Sequence, residues 1–195
     1  MRAMAFSMDL GGGVDLVLRE SWTVEPLHRL IGRNLDRLRR WEAWAHGEQT
    51  EAGLRAFTRH ELSEWVDGRG VPAALRVDRE LVGAVGARID GYAGTAALGY
   101  WVDADHEGRG LVTRAVTAMV DHLFVDRELS RAEIRTATHN GRSRALAERL
   151  GFLHEGTLRA AAPVGAERHD VAVYGLLPDT WKRARTTARD SLLDS

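Results

Sequence analysis

The sequence predicts an α/β fold of the α+β kind, a mixed β-sheet flanked by helices. Three observations predict it. Short segments of apolar–polar alternation recur along the chain. Two later segments carry apolar residues at helical spacing and alternate with strands. Turn signals rich in Gly and Asp bound these segments. The order reads as strands, then helix, strand, helix, then strands again.

Val14 to Arg19 alternates and reads as a first strand. Pro26 to Arg40 and Thr50 to Val66 read as helices, the second closed by Asp67-Gly68. Ala73 to Val77 and Leu81 to Arg88 read as strands joined by a tight turn at Asp78-Arg79-Glu80. After the turn Asp90 to Gly94, Thr95 to Val102 is the next strand. Leu111, Val112, Ala115, Val116, Met119, Val120, Leu123 and Phe124 then mark a helix to about Asp126. Ala132 to Thr138 reads as a strand and Gly141 to Leu150 as a helix stopped by Gly151. Strands near Leu153 to Arg159 and Arg168 to Leu176 close the sheet. Residues 1–13, with Gly11-Gly12-Gly13, read as a flexible lead-in, 14–178 as one domain, and 179–195 as a polar tail forming a short peripheral helix.

At 195 residues the chain is long enough for one substantial core. With 27 basic and 28 acidic residues its net charge is −1, which gives no bulk electrostatic drive toward nucleic acid or membranes. Arg33 to Arg40 reads as the polar face of an amphipathic helix, with a local basic patch as the alternative. Cysteine is absent, which excludes disulfides, thiolate metal ligands and a cysteine nucleophile, and suits a cytoplasmic location. No run of about 18 apolar residues is present to span a membrane, and the start lacks the apolar core of a signal peptide. The eight histidines show no metal-like clustering, so no metal is expected.

The most informative stretch is Gly99-Tyr-Trp-Val-Asp-Ala-Asp-His-Glu-Gly-Arg-Gly-Leu-Val-Thr113. Its glycines sit where a strand becomes a helix. The first turn of a helix offers unpaired N–H groups and the positive end of its dipole. Glycine lets an anion approach that backbone closely, and Arg109 adds a cation, so the segment reads as a phosphate site. The common nucleotide fingerprints, Gly-x-x-x-x-Gly-Lys-Ser/Thr and Gly-x-Gly-x-x-Gly, are absent from this turn.

This loop resembles motif A of the GCN5-related N-acetyltransferases, Gln/Arg-x-x-Gly-x-Gly/Ala, which holds the pyrophosphate of acyl-coenzyme A. The motif falls on Glu107 to Val112; Gly110 fits it, whereas Glu107 and Val112 depart from it. Asn140-x-x-Ser143 followed by a helix and Gly151-Phe152 resembles motif B of the same superfamily. Within it, the ribosomal-protein N-terminal acetyltransferases of the RimJ/RimL type are similar in Leu-x-x-Trp-x-x-Trp (ending at Trp41 and Trp44), Leu98-Gly-Tyr-Trp101, Glu155-Gly156 and His169-Asp170. The resemblance runs in order from about Val14 to Leu177.

The resemblance implies a mostly antiparallel six- to seven-stranded sheet in which two adjacent parallel strands splay apart. Here these are Thr95–Val102 and Ala132–Thr138. It implies that backbone groups near Trp101 and Val102 pair with the pantetheine amides as an added strand would. Glu107, Gly108, Arg109, Gly110, Leu111, Val112 and Thr113 would surround the pyrophosphate. Asn140 would touch coenzyme A, and Ser143 would meet the thioester sulfur as the acid for the departing thiolate. Helix capping is the structural alternative for Asn140 and Ser143. The tyrosine that many superfamily members place seven residues after this Asn is Ala147 here. The glutamate that the RimJ/RimL branch places seven residues after its Glu of Glu-Gly is Ala162. Glu155, His139 and His169 are the candidate substitutes for a base; because an α-amino group has a pKa near 8, a relay through water without a strong base is the alternative. Trp41, Trp44 and Tyr100 are candidates for the acceptor side, with core packing as the alternative for the tryptophans; Tyr100 and Trp101 must point to opposite faces of their strand.

The implied activity is direct transfer of an acetyl group from acetyl-coenzyme A to a primary amine in a ternary complex, most readily a protein N-terminal α-amine. A small-molecule amine, such as an antibiotic or aminoacyl nucleotide, is the alternative acceptor; a non-catalytic coenzyme A-binding protein is the second alternative. Branch members are often dimers.

Overall fold

The structure, a computed structural model, describes residues 6–193, with side chains as far as 186; the outer ends of the expected lead-in and tail lie outside the described residues. The strands are β1 (Ser7–Gly11), β2 (Val14–Leu18), β3 (Gly70–Val77), β4 (Glu80–Asp90), β5 (Thr95–Val102), β6 (Arg131–Ala137), β7 (Leu153–Val164) and β8 (Glu167–Leu176). The helices are α1 (Val24–Leu38), α2 (Glu51–Val66), α3 (Leu111–Asp121), α4 (Gly141–Arg149) and α5 (Pro178–Leu193). The strands form one sheet in the order β1-β2-β3-β4-β5-β6-β8-β7, antiparallel except for β5 beside β6.

Among the described residues the sheet has eight strands, one more than the upper expectation, because part of the expected lead-in is a strand. Ser7 pairs with Val17 and Met8 with Leu16. Gly11, Gly12 and Gly13 all have positive φ and turn the chain between β1 and β2. Arg114 of α3 ties this hairpin down by donating to the Leu10 carbonyl at 2.6 Å and to that of Gly11. The β3–β4 turn uses Asp78 and Arg79, both at positive φ, as a two-residue hairpin of the right hand for twisted strands requires.

Helices α1 and α2 cover one face of the sheet, where Leu27 and Leu30 pack with Val17 and Ala74. Helices α3 and α4 cover the other; Ala115, Val116, Met119, Val120 and Leu146 join the main core with β2 to β6 and β8. Helix α1 ends at Leu38, so Trp41 lies in a turn and Trp44 on a separate 3-10 turn, Ala43–His46. The late hairpin is longer than expected, since β7 runs on to Val164 through two irregularities in its pairing.

Two features shape the centre of the sheet. Strand β5 pairs with β4 along its whole length, from Thr95 opposite Asp90 to Val102 opposite Gly83. It pairs with β6 only from Thr95 to Leu98. Beyond Leu98 the two strands part. At the far end of the open stretch, just beyond the Gly83–Val102 pair, β4 carries a bulge: Leu75 faces Gly83 and Arg76 faces Leu81, leaving Val82 as the extra residue. A bulge bends its strand and increases the local twist, and this one lies where β5 ends, Val102 being opposite Gly83. The approach is close. A Cβ on Gly83 would lie 2.3 Å from the Trp101 carbonyl oxygen. Gly83→Ala is therefore expected to lower stability by about 1–3 kcal/mol through overpacking, seen as a reduced denaturant midpoint. Gly91→Ala, whose Cβ meets nothing within 4 Å, should leave the midpoint nearly unchanged.

Candidate active site

The parting of β5 and β6 opens a cleft of about 1690 Å³. Its walls come from the ends of both strands, the loop leading into α3, the start of α4, the turn after α1 and the β7–β8 hairpin.

The loop is held from below by a buried polar lock. The Asn34 amide of α1 donates to Asp103 Oδ1 at 2.7 Å and to the Leu30 carbonyl at 2.9 Å, and its Oδ1 accepts from Ala104 N at 3.0 Å. Asn34 and Asp103 are both buried. Burial works to raise the Asp103 carboxyl, but hydrogen bonds from Asn34 and His106 and the charge of Arg33 outweigh it and hold the group below its ordinary value. The loop start is thus pinned to α1 by a fully paired carboxylate.

Above the lock the backbone is open. Gly108 and Gly110 have φ of 74° and 69°. Gly110 occupies the N-cap of α3 and supplies no side-chain cap. Among the described residues no protein group accepts from the backbone N–H groups of Gly108 through Thr113; the first bond of the helix runs from Arg114 N to the Gly110 carbonyl at 3.0 Å. A Cβ at either glycine would meet nothing within 4 Å. These consecutive donors at a helix N-terminus can receive an anion.

Glu107 places a carboxylate beside them, and two guanidinium groups answer it. Arg37 of α1 and Arg142 of α4 each form an ion pair with Glu107, and Arg37 also donates to the Val102 carbonyl. Neither arginine stood out in the sequence, because each lies far along the chain from Glu107 and only folding unites them. Arg109 itself is exposed and does not line the cleft.

Residues 16–153 match the family model described as acetyltransferase (GNAT) domain. The chain belongs to the GNAT acetyltransferase family. It is 31% identical over 182 residues to the putative ribosomal N-acetyltransferase YdaF of Bacillus subtilis (strain 168), covering 91% of this chain and 98% of that protein. It is 30% identical over 158 residues to the ribosomal-protein-serine acetyltransferase of Escherichia coli (strain K12), covering 80% of this chain and 88% of that one. A crystal structure of a probable acetyltransferase superposes with a TM-score of 0.86 at 31% identity, covering 90% of this chain and 99% of the other. The acyl donor of the GNAT enzyme is acetyl-coenzyme A, and two observations fit it: the loop donors without protein acceptors, and the unpaired edges of β5 and β6 past Leu98.

In this GNAT chain Trp101, Val102, Glu107, Gly108, Gly110, Leu111, Val112, Thr113, Asn140 and Ser143 all line the cleft. Asn140 caps α4, its Oδ1 accepting from Ser143 N at 3.2 Å, so the capping reading of this pair holds structurally. Ser143 Oγ lies 2.9 Å from Tyr100 Oη in a hydrogen bond. Burial pushes the Tyr100 phenol up to about 12, against the smaller opposing effect of Ser143, so it keeps its proton at neutral pH. Tyr100 faces the α3–α4 side and Trp101 the α1–α2 side.

On the far wall Trp41 lines the cleft with its ring 5.1 Å from that of His139, which also lines it. Trp44 does not line it; its indole is exposed and donates to Glu42 Oε2 at 2.9 Å. Of the substitute bases, Glu155 is outside the cleft and ion-paired to Arg131, which holds its carboxyl below the ordinary range. His169 stacks edge-on against His139 at 4.6 Å without lining the cleft. Ala162 does line it. Among the described residues no group of His, Asp and Glu is arranged to hold a metal ion, and no helix is long and apolar enough to cross a membrane.

Gly110→Ala tests the loop. The left-handed conformation there costs an alanine about 1–2 kcal/mol, and the methyl group enters the space above the donors. Coenzyme A affinity measured by calorimetry is expected to fall about tenfold or more while the circular dichroism stays native. Unchanged affinity would remove this loop from donor binding.

Proposed function

We propose that the protein transfers the acetyl group of acetyl-coenzyme A directly to a primary amine, and that the acceptor is a protein N-terminal α-amine in the cytoplasm. One observation carries the reading: the row of backbone donors from Gly108 to Thr113 faces a cleft whose two walls are the parted edges of β5 and β6. A diphosphate on the loop places the pantetheine arm along the β5 edge near Trp101 and Val102. The acetyl end then falls at the Tyr100–Ser143 pair, and the wall formed by Trp41 is left for the acceptor. The names of the two curated relatives, both ribosomal acetyltransferases, support a protein acceptor.

In this reading Ser143 is the acid. An amine attacks the thioester carbonyl carbon, the C–N bond forms as the C–S bond breaks, and the Ser143 Oγ–H protonates the departing sulfur. Tyr100, held protonated by its burial, donates to Ser143 Oγ and aims the serine proton outward. Without cysteine there is no acyl-cysteine intermediate, so donor and acceptor meet in one complex.

A small planar amine is the second reading, favoured by the Trp41 ring on the cleft wall, which offers a stacking surface. Thiol release from acetyl-coenzyme A, with peptides of varied N-terminus and a panel of small amines as acceptors and mass spectrometry of the products, separates the two. Absence of transfer to every acceptor would leave a coenzyme A-binding protein without this activity. Ser143→Ala is expected to lower kcat about 10²-fold with little change in coenzyme A affinity, and unchanged turnover would remove Ser143 from the chemistry.

A further inference from the structure

Glutamate is missing at Ala162, and the substitute carboxylate at Glu155 is turned away from the cleft and bound by Arg131. The lining of the cleft nevertheless contains two carboxylates, Glu42 and Glu107. Glu107 is bound by Arg37 and Arg142. Glu42 forms no ion pair among the described residues, although Arg37 and Arg40 line the same cleft. Its one side-chain partner is the Trp44 indole N–H at 2.9 Å, on Oε2. A carboxylate has about four acceptor positions on two oxygens, so Oε1 keeps its full capacity.

Position supports a role in the cleft. Glu42 directly follows Trp41, whose ring packs on His139, and it opens the 3-10 turn Ala43–His46, which packs against β7. Strand β7 contributes Ala161 and Ala162 to the same cleft.

We propose that Glu42 is the catalytic base, taking the proton of the acceptor amine; this rests on the acetyl-transfer reading above. The amine arrives largely as an ammonium ion, since an α-amino group has a pKa near 8. Glu42 attracts the cation, takes one proton through Oε1 and releases it to bulk water. The freed lone pair attacks the thioester carbon, the thiolate leaves with the Ser143 proton, and the second nitrogen proton restores Ser143 through water. Burial raises the Glu42 carboxyl above its ordinary value, partly opposed by the hydrogen bond from Trp44, and so makes it a stronger proton acceptor. The ionisable groups on the elements packed about its turn are Arg37 on α1, Arg39 and Arg40 just after it, His46 on the turn itself and His139 after β6; β7 presents Leu158, Ala161, Ala162 and Val164.

The test is Glu42→Gln in the full chain. Gln keeps an oxygen for the Trp44 N–H but cannot take the proton. With an acceptor that the wild type acetylates, kcat is expected to fall about 10²-fold, while coenzyme A affinity and Tm stay at wild-type values. The rise of kcat/KM from acid pH, which in the wild type reports deprotonation of Glu42, should move up to the acceptor amine's own titration near 8. The double variant Glu42→Gln/Ala162→Glu, with a carboxylate returned to the same cleft, should recover both rate and pH dependence. Wild-type turnover in Glu42→Gln overturns the proposal, as does an acid limb that keeps its wild-type position in Glu42→Gln but moves up in His139→Gln. If the wild type itself transfers acetyl to no amine, the acetyl-transfer reading fails first and this one falls with it.

Discussion

Everything at the cleft follows from a strand that is bound on one side only. From Gly99 to Val102, β5 has β4 along one edge and open space along the other. Backbone N–H and C=O groups are obligatory hydrogen-bonding groups, and an unpaired edge is a template for another chain. On its paired edge β5 lies tight against β4, where Gly83 lets the Trp101 carbonyl come closer than any side chain permits. Helix α1 then fixes where the strand ends, through Arg37 on the Val102 carbonyl and Asn34 on Asp103. The same helix therefore sets both the depth of the cleft and the pose of the glycine loop above it.

The charges at the cleft divide into those that are satisfied inside the protein and those that are not. Glu107 would repel a diphosphate if it stood alone, but two guanidinium groups hold it and leave the loop with an excess of positive charge. Asp103 is paired on every side and acts as a structural peg. Glu42 has only an indole. A fold that pairs its other cleft carboxylate so thoroughly makes the half-paired one conspicuous.

Much of the fold was legible in the sequence because its signals are local. The strand Thr95–Val102 is a largely apolar run that begins and ends at the expected residues, and the glycine loop announces the helix that follows. The capping of α4 by Asn140 was readable from residue type and spacing. What was not legible depended on contacts distant in sequence. The glycine run at residues 11–13 resembles a linker until Arg114 binds the carbonyls of Leu10 and Gly11 and makes it a hairpin turn. Arg37 and Arg142 look like ordinary helix-surface arginines until they meet at Glu107. Trp41 and Trp44 have helical spacing, yet the helix stops at Leu38 and only Trp41 turns toward the cleft. Glu42, between them, carried no motif; its burial in the folded chain is what distinguishes it.

The sheet is best regarded as two antiparallel panels, β1 to β5 and β6 to β8, sewn together along a seam from Thr95 to Leu98. A pantetheine arm lying in the gap beyond that seam would extend the stitching, giving each panel new main-chain bonds to a common thread. Filling the site and stiffening the molecule would then be one event, and the empty protein would be most pliant along the very line where its chemistry takes place.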